Sequence, residues 1–455
     1  MASAVTTSQL DGFFKRVYGD DLEALVPEFA IVAKKIPFQK ADKIGDSFRF
    51  PCKLTRSQGY TWNGTAAGAG TAFALNDPIS LVTREANITG SEFVLRERLS
   101  YGVVSRSGGK EESFGPALDE VVLDMTESAA FQREMALLYG GSDTGIGSFV
   151  LAGYTHAAPA GVVATAVLTA QSWAGGLWAQ MEGAEIDVYS DPVTFGIANE
   201  KLNVNEAITI TSIDPDTRSL SLSGSAVDLT LIGTRLAIAA PNAQSAFIYP
   251  RGAFSTAGPG AVATAGNWFN GLDAIISNTG TLFGISAATY NLWRGNVYNN
   301  AAAALSAANL QKAMSRAAVR GLMEDVTVLV STYTWTDLMN TTLGSNRVYN
   351  DKSPDSEFTS GSKSIKFFGV NGVMEIVPHP MVKAGDTFIV PMKRCLRIGS
   401  TDITFRLPDA GPDRFVRQLS DAAGFEIRNY FDQGLIITHP ARCVKITNIV
   451  PTSGP

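Results

Sequence analysis

A long stretch of apolar residues at helical spacing, followed by a cluster of glycines, limits the folds that this chain can adopt. Over residues 116–138 apolar and small side chains recur every three or four positions, and Pro116 suits the first turn of a helix. The residues on this face are Leu118, Val121, Val122, Met125, Ala129, Gln132 and Ala136. The pattern predicts a helix of about six turns. The glycines that follow it, Gly140, Gly141, Gly145 and Gly147, allow the backbone to turn sharply where the helix ends.

The glycine-rich loop, "LLYGGSDTGIG", resembles a phosphate-binding loop only in composition. A Walker loop needs Lys and then Ser or Thr after its second glycine, but Gly140-x4-Gly145 is followed by Ile146. A dinucleotide-binding loop opens a helix, whereas this loop follows one, where carbonyl groups point outward. A nucleophile elbow is also excluded, because Thr144 replaces its second glycine and no strand precedes it. We therefore predict a helix cap, with Gly140 in the left-handed conformation and no ligand at the loop.

Residues that commonly carry catalysis or bind metals are few and widely spaced. They are His156, His379, His439, Cys52, Cys395 and Cys443. No pair among them has metal-ligand spacing, and three distant cysteines argue against a disulfide framework. Acid pairs at 20–21 and 111–112 are expected to be solvated. A serine, a histidine and an aspartate can still meet in space, but no activating motif marks them. We predict that the chain is not an enzyme, with no catalytic, cofactor-binding or metal site and no cofactor.

Composition narrows the class of protein further. With 455 residues the chain is expected to form two or three domains. Only 18% of the residues are charged and 43 are glycine, a composition that suggests surface hidden against copies of the same chain. The net charge of −6 gives no overall attraction to nucleic acid or to an anionic membrane. Neither a secretory signal nor a run long enough to cross a membrane is found, so we expect a soluble protein made in a reducing cytoplasm.

The first part of the chain reads as an arm followed by a long two-stranded loop. Residues 8–26 have near-helical spacing up to Pro27, and a basic segment follows with Lys34, Lys35, Lys40 and Lys43. These lysines form either a DNA-binding arm or, as the simpler interpretation, a solvated surface. Alternation then predicts strands at 48–54 and 92–104, joined through a small-residue tip at 64–72. Such a ribbon is marginal by itself and is expected to lie on a neighbouring subunit.

Two aromatic residues beside this tip allow two interpretations. Tyr60 and Trp62 are either strand residues that cover a local core or anchors that dock on another subunit, since Tyr and Trp are enriched at interface hot spots.

The second half of the chain alternates between helical and strand patterns. We predict a helix at 166–181, a hairpin at 207–224, a strand at 234–239, a helix at 302–320, a strand at 326–332 and two final strands within 425–449. The hairpin and the strand at 234–239 are expected to form a small inserted β-barrel, and the loop at 252–266 marks a domain boundary. The sequence therefore predicts an α+β fold.

The order of these parts resembles the major capsid protein of tailed bacteriophages, the HK97-like fold. In that family a spine helix runs into a leu-leu-x-gly-asp-gly-thr type of turn. The matching residues here are Leu137, Leu138, Gly140, Gly141, Asp143, Thr144 and Gly145, with Ser142 intervening and the usual proline absent. Residues 362–405 resemble the family's late axial-domain strands, and residues 425–449 resemble its final peripheral-domain strands.

The resemblance implies a domain organisation and a set of contacts. The implied parts are an N-terminal arm at 1–44, an extended loop at 45–104, a peripheral domain at 105–250 with the spine helix at 116–138 and a β-hairpin or barrel inserted at about 185–250, an axial domain at 251–398, and a return to the peripheral domain at 399–455. The residues expected to contact other subunits are Tyr60, Trp62, Arg84, Arg96 and Arg98. Residues 57–72 contain no lysine, so covalent lysine–asparagine cross-links are not expected at this tip.

The function that the resemblance implies is assembly. Copies of the chain would form hexamers and pentamers of an icosahedral head shell that encloses phage dsDNA, with many weak contacts reinforcing one another. The expected partners are the chain itself, a separate scaffolding protein, a portal, decoration proteins, and packaged dsDNA bound non-specifically on the inner face. A separate scaffolding protein is expected because no long charged helical segment precedes the arm. No membrane is expected. The expected location is the virion capsid, after synthesis in the bacterial host cytoplasm.

Two other functions stay open at this stage. An encapsulin-type bacterial nanocompartment shell shares the fold but usually lacks so large an extended loop. A β-rich hydrolase or carbohydrate-binding protein would need a concave site with a perturbed acid or histidine.

Overall fold

The computed structural model describes residues 30–40, 47–62, 73–101, 117–157, 161–190, 201–237, 245–255, 265–345, 365–369, 372–405, 416–419 and 424–454. The helix predicted at 8–26 and Lys43 of the basic segment lie outside these residues. The described parts of Leu95–Ser128 and Phe405–Asn429 belong to a smaller compact unit, and those of Phe29–Val94, Ala129–Thr404 and Tyr430–Pro455 belong to a larger one.

The helices of the described residues are α1 (Ile31–Lys35), α2 (Ala117–Tyr139), α3 (Gly175–Trp178), α4 (Ala226–Ala237), α5 (Leu272–Ser277), α6 (Ala307–Val319) and α7 (Thr332–Ser345). The strands are β1 (Phe38–Lys40), β2 (Phe48–Lys53), β3 (Thr83–Ile88), β4 (Ser91–Ser100), β5 (Gly147–His156), β6 (Val163–Leu168), β7 (Glu185–Ser190), β8 (Ile208–Asp214), β9 (Ser219–Ser223), β10 (Ser245–Pro250), β11 (Phe254–Ser255), β12 (Ala265–Gly266), β13 (Thr281–Leu282), β14 (Ile285–Ser286), β15 (Asn296–Ala303), β16 (Val326–Val330), β17 (Ile365–Phe368), β18 (Val373–Pro378), β19 (Thr387–Val390), β20 (Cys395–Thr404), β21 (Val416–Gln418), β22 (Gly424–Ile437) and β23 (Val444–Ile449).

Helix α2 confirms the long helix predicted at 116–138, displaced by one residue. Helix α6 confirms the one predicted at 302–320, although it begins later because Ala302 and Ala303 still belong to β15. Its start is fixed by Ser306, whose hydroxyl accepts the Asn309 N–H at 3.2 Å. The face of α6 at spacing three and four is buried, as predicted.

Strands β5 to β10 close into a barrel in the order β10-β5-β6-β9-β8-β7. The predicted hairpin at 207–224 is confirmed as the antiparallel pair β8–β9. The barrel starts at Gly147, well before the insertion expected at about 185–250. The buried side chains of β8 and β9 belong to the main hydrophobic core, which also contains Met135 and Leu137 of α2. The hairpin is therefore an integral part of the larger unit's core.

Two elements predicted in this region are wrong. Residues 163–168 form β6 instead of the start of a helix at 166–181, because Ala164, Ala166 and Leu168 alternate inward with a period of two. A short 3-10 helix (Ala170–Ser172) and the four-residue helix α3 follow. Residues 234–237 form the end of α4 instead of a strand at 234–239, since Leu229, Ile232 and Leu236 are buried at helical spacing.

A six-stranded sheet in the order β15-β23-β19-β16-β18-β17 forms the second large element of the larger unit. Strand β16 confirms the strand predicted at 326–332 and is buried throughout. Its side chains Val326, Val328 and Val330 pack in the same core cluster as the buried face of α6. Strand β23 pairs with β15 and β19 in this sheet, whereas β22 belongs to another sheet. The two final strands thus belong to different sheets. The domain boundary expected at 399 stays a prediction.

The loop strands pair differently from the prediction. Strand β2 pairs with β3 in antiparallel register from Phe48–Ile88 to Lys53–Thr83, whereas β4, the strand predicted as its partner, pairs with β22. The base of the β2–β3 ribbon is packed within the larger unit: Phe48 and Ile88 contact Ile398 and Ile436. The third sheet has the order β1-β20-β22-β21. In the smaller unit, Leu99, Met125 and Ile427 form a separate cluster.

Candidate functional site

The ribbon formed by β2 and β3 continues outward as two hydrogen-bonded legs. Gln58 and Ile79 exchange backbone hydrogen bonds of 2.8 and 3.1 Å. Further out, the Asn76 N–H donates to the Thr61 hydroxyl at 2.9 Å, and the Asn76 side-chain amide donates to the Tyr60 carbonyl at 2.8 Å. The legs are therefore held together as far as residues 60–62 and 76.

Apolar side chains on these legs are uncovered. Trp62 is 90% exposed and Leu75 is 77% exposed. The full set, here called the apolar ribbon, is Tyr60, Trp62, Phe73, Leu75, Ile79 and Leu81. Six large apolar side chains are exposed on the two legs of one hairpin, and large exposed apolar patches mark interaction surfaces. Of the two interpretations left open for Tyr60 and Trp62, the local core is excluded within the described residues, because both side chains are mostly exposed.

The structure places the predicted contact arginines on two strands. Arg84 is exposed on β3, and Arg96 and Arg98 are exposed on β4. Arg98 forms an ion pair with Glu426 at 3.4 Å within the smaller unit, so part of its charge is balanced inside the chain. A role for these arginines between subunits remains a prediction.

The glycine-rich loop caps α2, but through a different glycine from the one predicted. Gly140 directly follows the helix, and its N–H still donates to the Ala136 carbonyl at 2.8 Å. The left-handed residues are Gly141, with φ of +63°, and Gly145, with φ of +56°. The prediction of left-handed geometry at Gly140 is wrong because that residue closes the last helical hydrogen bond, and the reversal occurs one residue later. Gly140 then accepts a hydrogen bond of 2.7 Å from the Gly271 N–H.

A buried group of charged side chains holds the loop in place. Asp273 of α5 accepts a hydrogen bond from the Ser142 hydroxyl and forms an ion pair with Lys445 of β23. Lys445 lies 3.4 Å from Asp386 as well. Lys383 donates to the Gly145 carbonyl at 2.6 Å. These four charged residues, Asp273, Lys383, Asp386 and Lys445, are here called the buried charge cluster, and all are classed as buried.

In the buried charge cluster, acidic and basic side chains pair with each other in the protein interior. Burial opposes ionisation of Asp273, but Lys445, Lys383 and the Ser142 hydroxyl outweigh it and lower its pKa. Burial raises the pKa of Asp386, with Asp273 contributing in the same direction. Two cations and two acids in one interior site balance one another, and removing one member would leave an uncompensated charge.

The cluster lacks the arrangement needed for nucleophilic catalysis. Ser142 hydrogen-bonds to an aspartate and to Thr144, whereas a serine nucleophile needs a neighbouring base such as histidine. His379 instead bonds to Glu134 at 2.9 Å, and His156 to the Gly161 carbonyl at 2.8 Å. Among the described residues no group of three or more His, Cys, Asp or Glu side chains could hold a metal ion. The hydrogen bonds and ion pairs of the cluster tie the loop, α5 and β23 together.

Sequence reasoning missed the members of this tie. Asp273 lies 131 residues from Ser142, and Lys383 lies 238 residues from Gly145. Lys383 and Asp386 lie within residues 362–405, which resemble the family's late axial-domain strands, but nothing in that resemblance marks them as a buried pair. The one available signal was the isolated charge in otherwise apolar surroundings, as at Lys445 within "CVKITNI".

A second buried tie joins the start of the described chain to α2. The Glu134 carboxylate accepts the N–H groups of Val32 and Ala33, the latter at 2.9 Å, and also the Nε2–H of His379. The Met381 N–H donates to Nδ1 of His379 at 3.1 Å, so Nδ1 carries no proton and Nε2 is the donor.

Lys383 should make stability depend on pH. Burial lowers the pKa of its amine from the ordinary 10.5 to about 8. Below pH 8 the folded and unfolded chains are both protonated there; between 8 and 10.5 the unfolded chain binds more protons, so the Lys383 contribution to stability rises with pH. We expect the difference in unfolding free energy between the wild type and Lys383→Met to grow by up to about 3 kcal/mol across this window.

Urea unfolding of both proteins at a series of pH values measures this difference. Burial raises the pKa values of the Cys395 and Cys443 thiols, which opposes the rise in stability with pH. Because both proteins contain these thiols, comparing the two cancels this contribution. A difference that stays constant with pH would contradict the assignment.

Comparison with known proteins identifies the fold. The chain resembles the capsid asymmetric unit of cyanophage A-1(L) with a TM-score of 0.52 and 11% identity, covering 98% of this chain and 99% of that one. The capsid of a native GTA particle gives a TM-score of 0.49 at 8% identity, covering 99% and 100% of the two chains. The holo-SrpI encapsulin complex from Synechococcus elongatus gives 0.40 at 6% identity, covering 100% and 99%. No protein-family model and no curated protein sequence matches the chain.

These similarities define a class by fold alone. The match to the cyanophage capsid spans nearly the whole of both chains, and the protein has a tailed-phage capsid-like, mixed α+β fold. The fold resemblance read from the sequence is thereby confirmed. The two matches below a TM-score of 0.5 do not separate a phage shell from an encapsulin. No helix of the described residues combines the length and the apolar character needed to span a membrane.

Proposed function

We propose that this chain is a major capsid protein that assembles, through hexamers and pentamers, into the icosahedral head shell that encloses phage dsDNA. The observation that carries the proposal is the apolar ribbon: a hydrogen-bonded hairpin with mostly exposed Trp62 and Leu75 leaves apolar area that another subunit would cover. Burying one such side chain contributes about 1.5–3 kcal/mol. Contacts of this kind reinforce one another when they are repeated around a closed shell.

The domain assignments follow from the same proposal. The ribbon belongs to the extended loop at 45–104, α2 serves as the spine helix of a peripheral domain, and the six-stranded sheet belongs to an axial domain. Tyr60, Trp62, Arg84, Arg96 and Arg98 lie at subunit contacts. A scaffolding protein, a portal, decoration proteins and packaged dsDNA are the proposed partners, and the virion capsid is the proposed location.

An encapsulin-type shell is the second candidate. The same ribbon would serve a protein-filled compartment, so particle contents separate the two functions. An enzyme has less support, because the buried charge cluster has no solvent-facing nucleophile and the full-length fold match is to a capsid.

Replacing the exposed anchors should prevent assembly without unfolding the chain. In Trp62→Ala with Leu75→Ser, the critical concentration for shell formation is expected to rise at least about tenfold, because losing about 1.4 kcal/mol per contact changes an equilibrium constant tenfold. Far-UV circular dichroism should stay unchanged, since neither side chain is buried in the chain. Negative-stain microscopy and sedimentation velocity, with and without a scaffold, measure the assembled fraction.

The matched control is Val227→Ser, an exposed apolar residue of α4 that is 65% exposed. Equal assembly of the ribbon variant and the control would contradict the assigned role of the ribbon. Only monomers or dimers of the wild type under every condition would contradict the shell itself. Nuclease-protected DNA in purified particles would favour a phage head, and protected protein cargo would favour a compartment.

A further inference from the structure

A basic groove of about 450 Å³ opens on the larger unit. Its walls are the end of α5 with the residues that follow it (276–279), the start of β15 with the residues before it (294–297), and the last turn of α6 with the residue that follows it (316–320). Three arginines, Arg294, Arg316 and Arg320, line it, and its lining contains no acidic residue. We call it the arginine groove.

Two of the three guanidinium groups are held in place by backbone carbonyls. Arg320 donates to the Arg294 carbonyl at 3.0 Å and to the Gly295 carbonyl at 3.3 Å. Arg316 donates to the Val297 carbonyl at 2.9 Å and lies over the Tyr298 ring at 4.9 Å. Each guanidinium has five N–H donors, so several remain for a ligand. Preorganised donors reduce the entropy cost of binding.

The positive charge of the groove is not neutralised within the described chain. No described acid forms an ion pair with Arg294, Arg316 or Arg320. Burial and the neighbouring Arg294 charge both lower the pKa of Arg320, which shows that the two cations repel each other. An anion between them would remove this repulsion. In a chain of net charge −6, such a local excess of positive charge indicates a specific anionic partner.

The arrangement of the cations suits a row of phosphates. Lys312, Arg316 and Arg320 follow one another at intervals of four residues, so they share one face of α6 about 6 Å apart. Asn278 and Thr279 add an amide and a hydroxyl to the opposite wall, and both side chains commonly contact DNA phosphates. The guanidinium fork also matches phosphate geometry in a bidentate manner.

We propose that the arginine groove binds phosphate groups of double-stranded DNA, independently of base sequence. This assignment rests on the proposed function, in which the shell encloses dsDNA, and it names the part of the chain that meets the DNA backbone. An acidic protein segment is the competing occupant, since Val319, which also lines the groove, is exposed and apolar.

Fluorescence anisotropy of a labelled duplex of about 20 base pairs, titrated with the purified full chain, tests the proposal. In Arg294→Gln with Arg316→Gln, duplex affinity is expected to fall about tenfold or more at low salt, and the salt slope to fall by about one for each lost contact. The control Arg49→Gln with Arg251→Gln removes the same charge from exposed arginines paired with Glu85 and Glu185, and should bind like the wild type. If the double variant unfolds, the single variant Arg294→Gln keeps the test valid, because the Arg294 side chain makes no hydrogen bond to a described residue.

Further binding measurements distinguish the possible ligands of the groove. Equal duplex binding by the groove variant and the control overturns the proposal. Arginine-dependent binding of inorganic phosphate without duplex binding identifies a site for a free oxyanion and also overturns it. Arginine-dependent binding of a polyglutamate peptide without duplex binding assigns the groove to a protein partner instead. Microscopy of the same samples separates the two proposals: shells without groove-dependent DNA binding refute only the groove, and groove-dependent binding without shells refutes only the shell.

Discussion

Replacing Asp273 with alanine is expected to lower the free energy of unfolding by about 3–5 kcal/mol, the cost of breaking a buried ion pair by removing one partner. Asp273 is the only acid that contacts both Lys445 and the glycine-rich loop among the described residues. Without it, Lys383 and Lys445 lose one of the acids that balance their charges, and the Ser142 hydroxyl loses its buried acceptor. Urea unfolding at neutral pH measures the change.

Two further variants show whether charge is the cause. Asp216→Ala removes an exposed aspartate from the β8–β9 turn and is expected to change stability by less than about 0.5 kcal/mol. Asp273→Ala combined with Lys445→Met removes both charges, so its loss should be about 1–3 kcal/mol smaller than the sum of the single losses. Strict additivity would mean that the two residues do not act as a pair.

Gly140→Ala is expected to destabilise the protein by at least about 2 kcal/mol, by overpacking and not by backbone strain. The φ angle of Gly140 lies outside the left-handed region, so alanine is conformationally allowed there. Its Cβ atom, however, would lie 2.1 Å from the Phe269 carbonyl oxygen and 2.5 Å from that of Ala136. Both are backbone atoms that cannot move independently, and the hydrogen bond from Gly271 holds the two segments close together.

Gly175→Ala is the matched control for this prediction. A Cβ atom at Gly175 would have only the Trp173 indole nitrogen nearby, at 3.9 Å. Alanine also favours the helix that Gly175 opens, so this variant is expected to be neutral or slightly stabilised. Thermal unfolding of both variants would refute the explanation if their melting temperatures changed equally.

The local sequence pattern was sufficient to predict a helix or a strand where one periodicity dominates. The helix at 117–139 carries apolar or small side chains at a spacing of three or four over most of its length, and β16 is apolar apart from Thr327, so both were predicted closely. Prediction failed where small residues fit the helical period of 3.6 and the strand period of 2 equally well. In "VATAVL" alanine fits a helix and a barrel strand equally well, and only pairing with β5 and β9 selects the strand.

The contact residues, too, were only partly predictable from the sequence. Aromatic residues beside a small-residue tip directed attention to Tyr60 and Trp62, but the sequence left open whether they were core or surface. Exposure resolved this, because exposure depends on which distant segments cover a side chain. Phe73, Leu75, Ile79 and Leu81 were missed, since an exposed leucine and a buried one look the same in a sequence.

The long helix, the turn that ends it, the β8–β9 hairpin and the order of parts that resembles a phage capsid protein could all be predicted from local sequence. These features depend on residues within a few turns or a few strand positions of one another. Long-range packing sets the partner of β2, the closure of the barrel, the sheet that contains β23, and the burial of Asp273 against Lys445. Each of these joins segments far apart in the chain, and its free energy depends on burial and charge pairing that no local window of sequence contains.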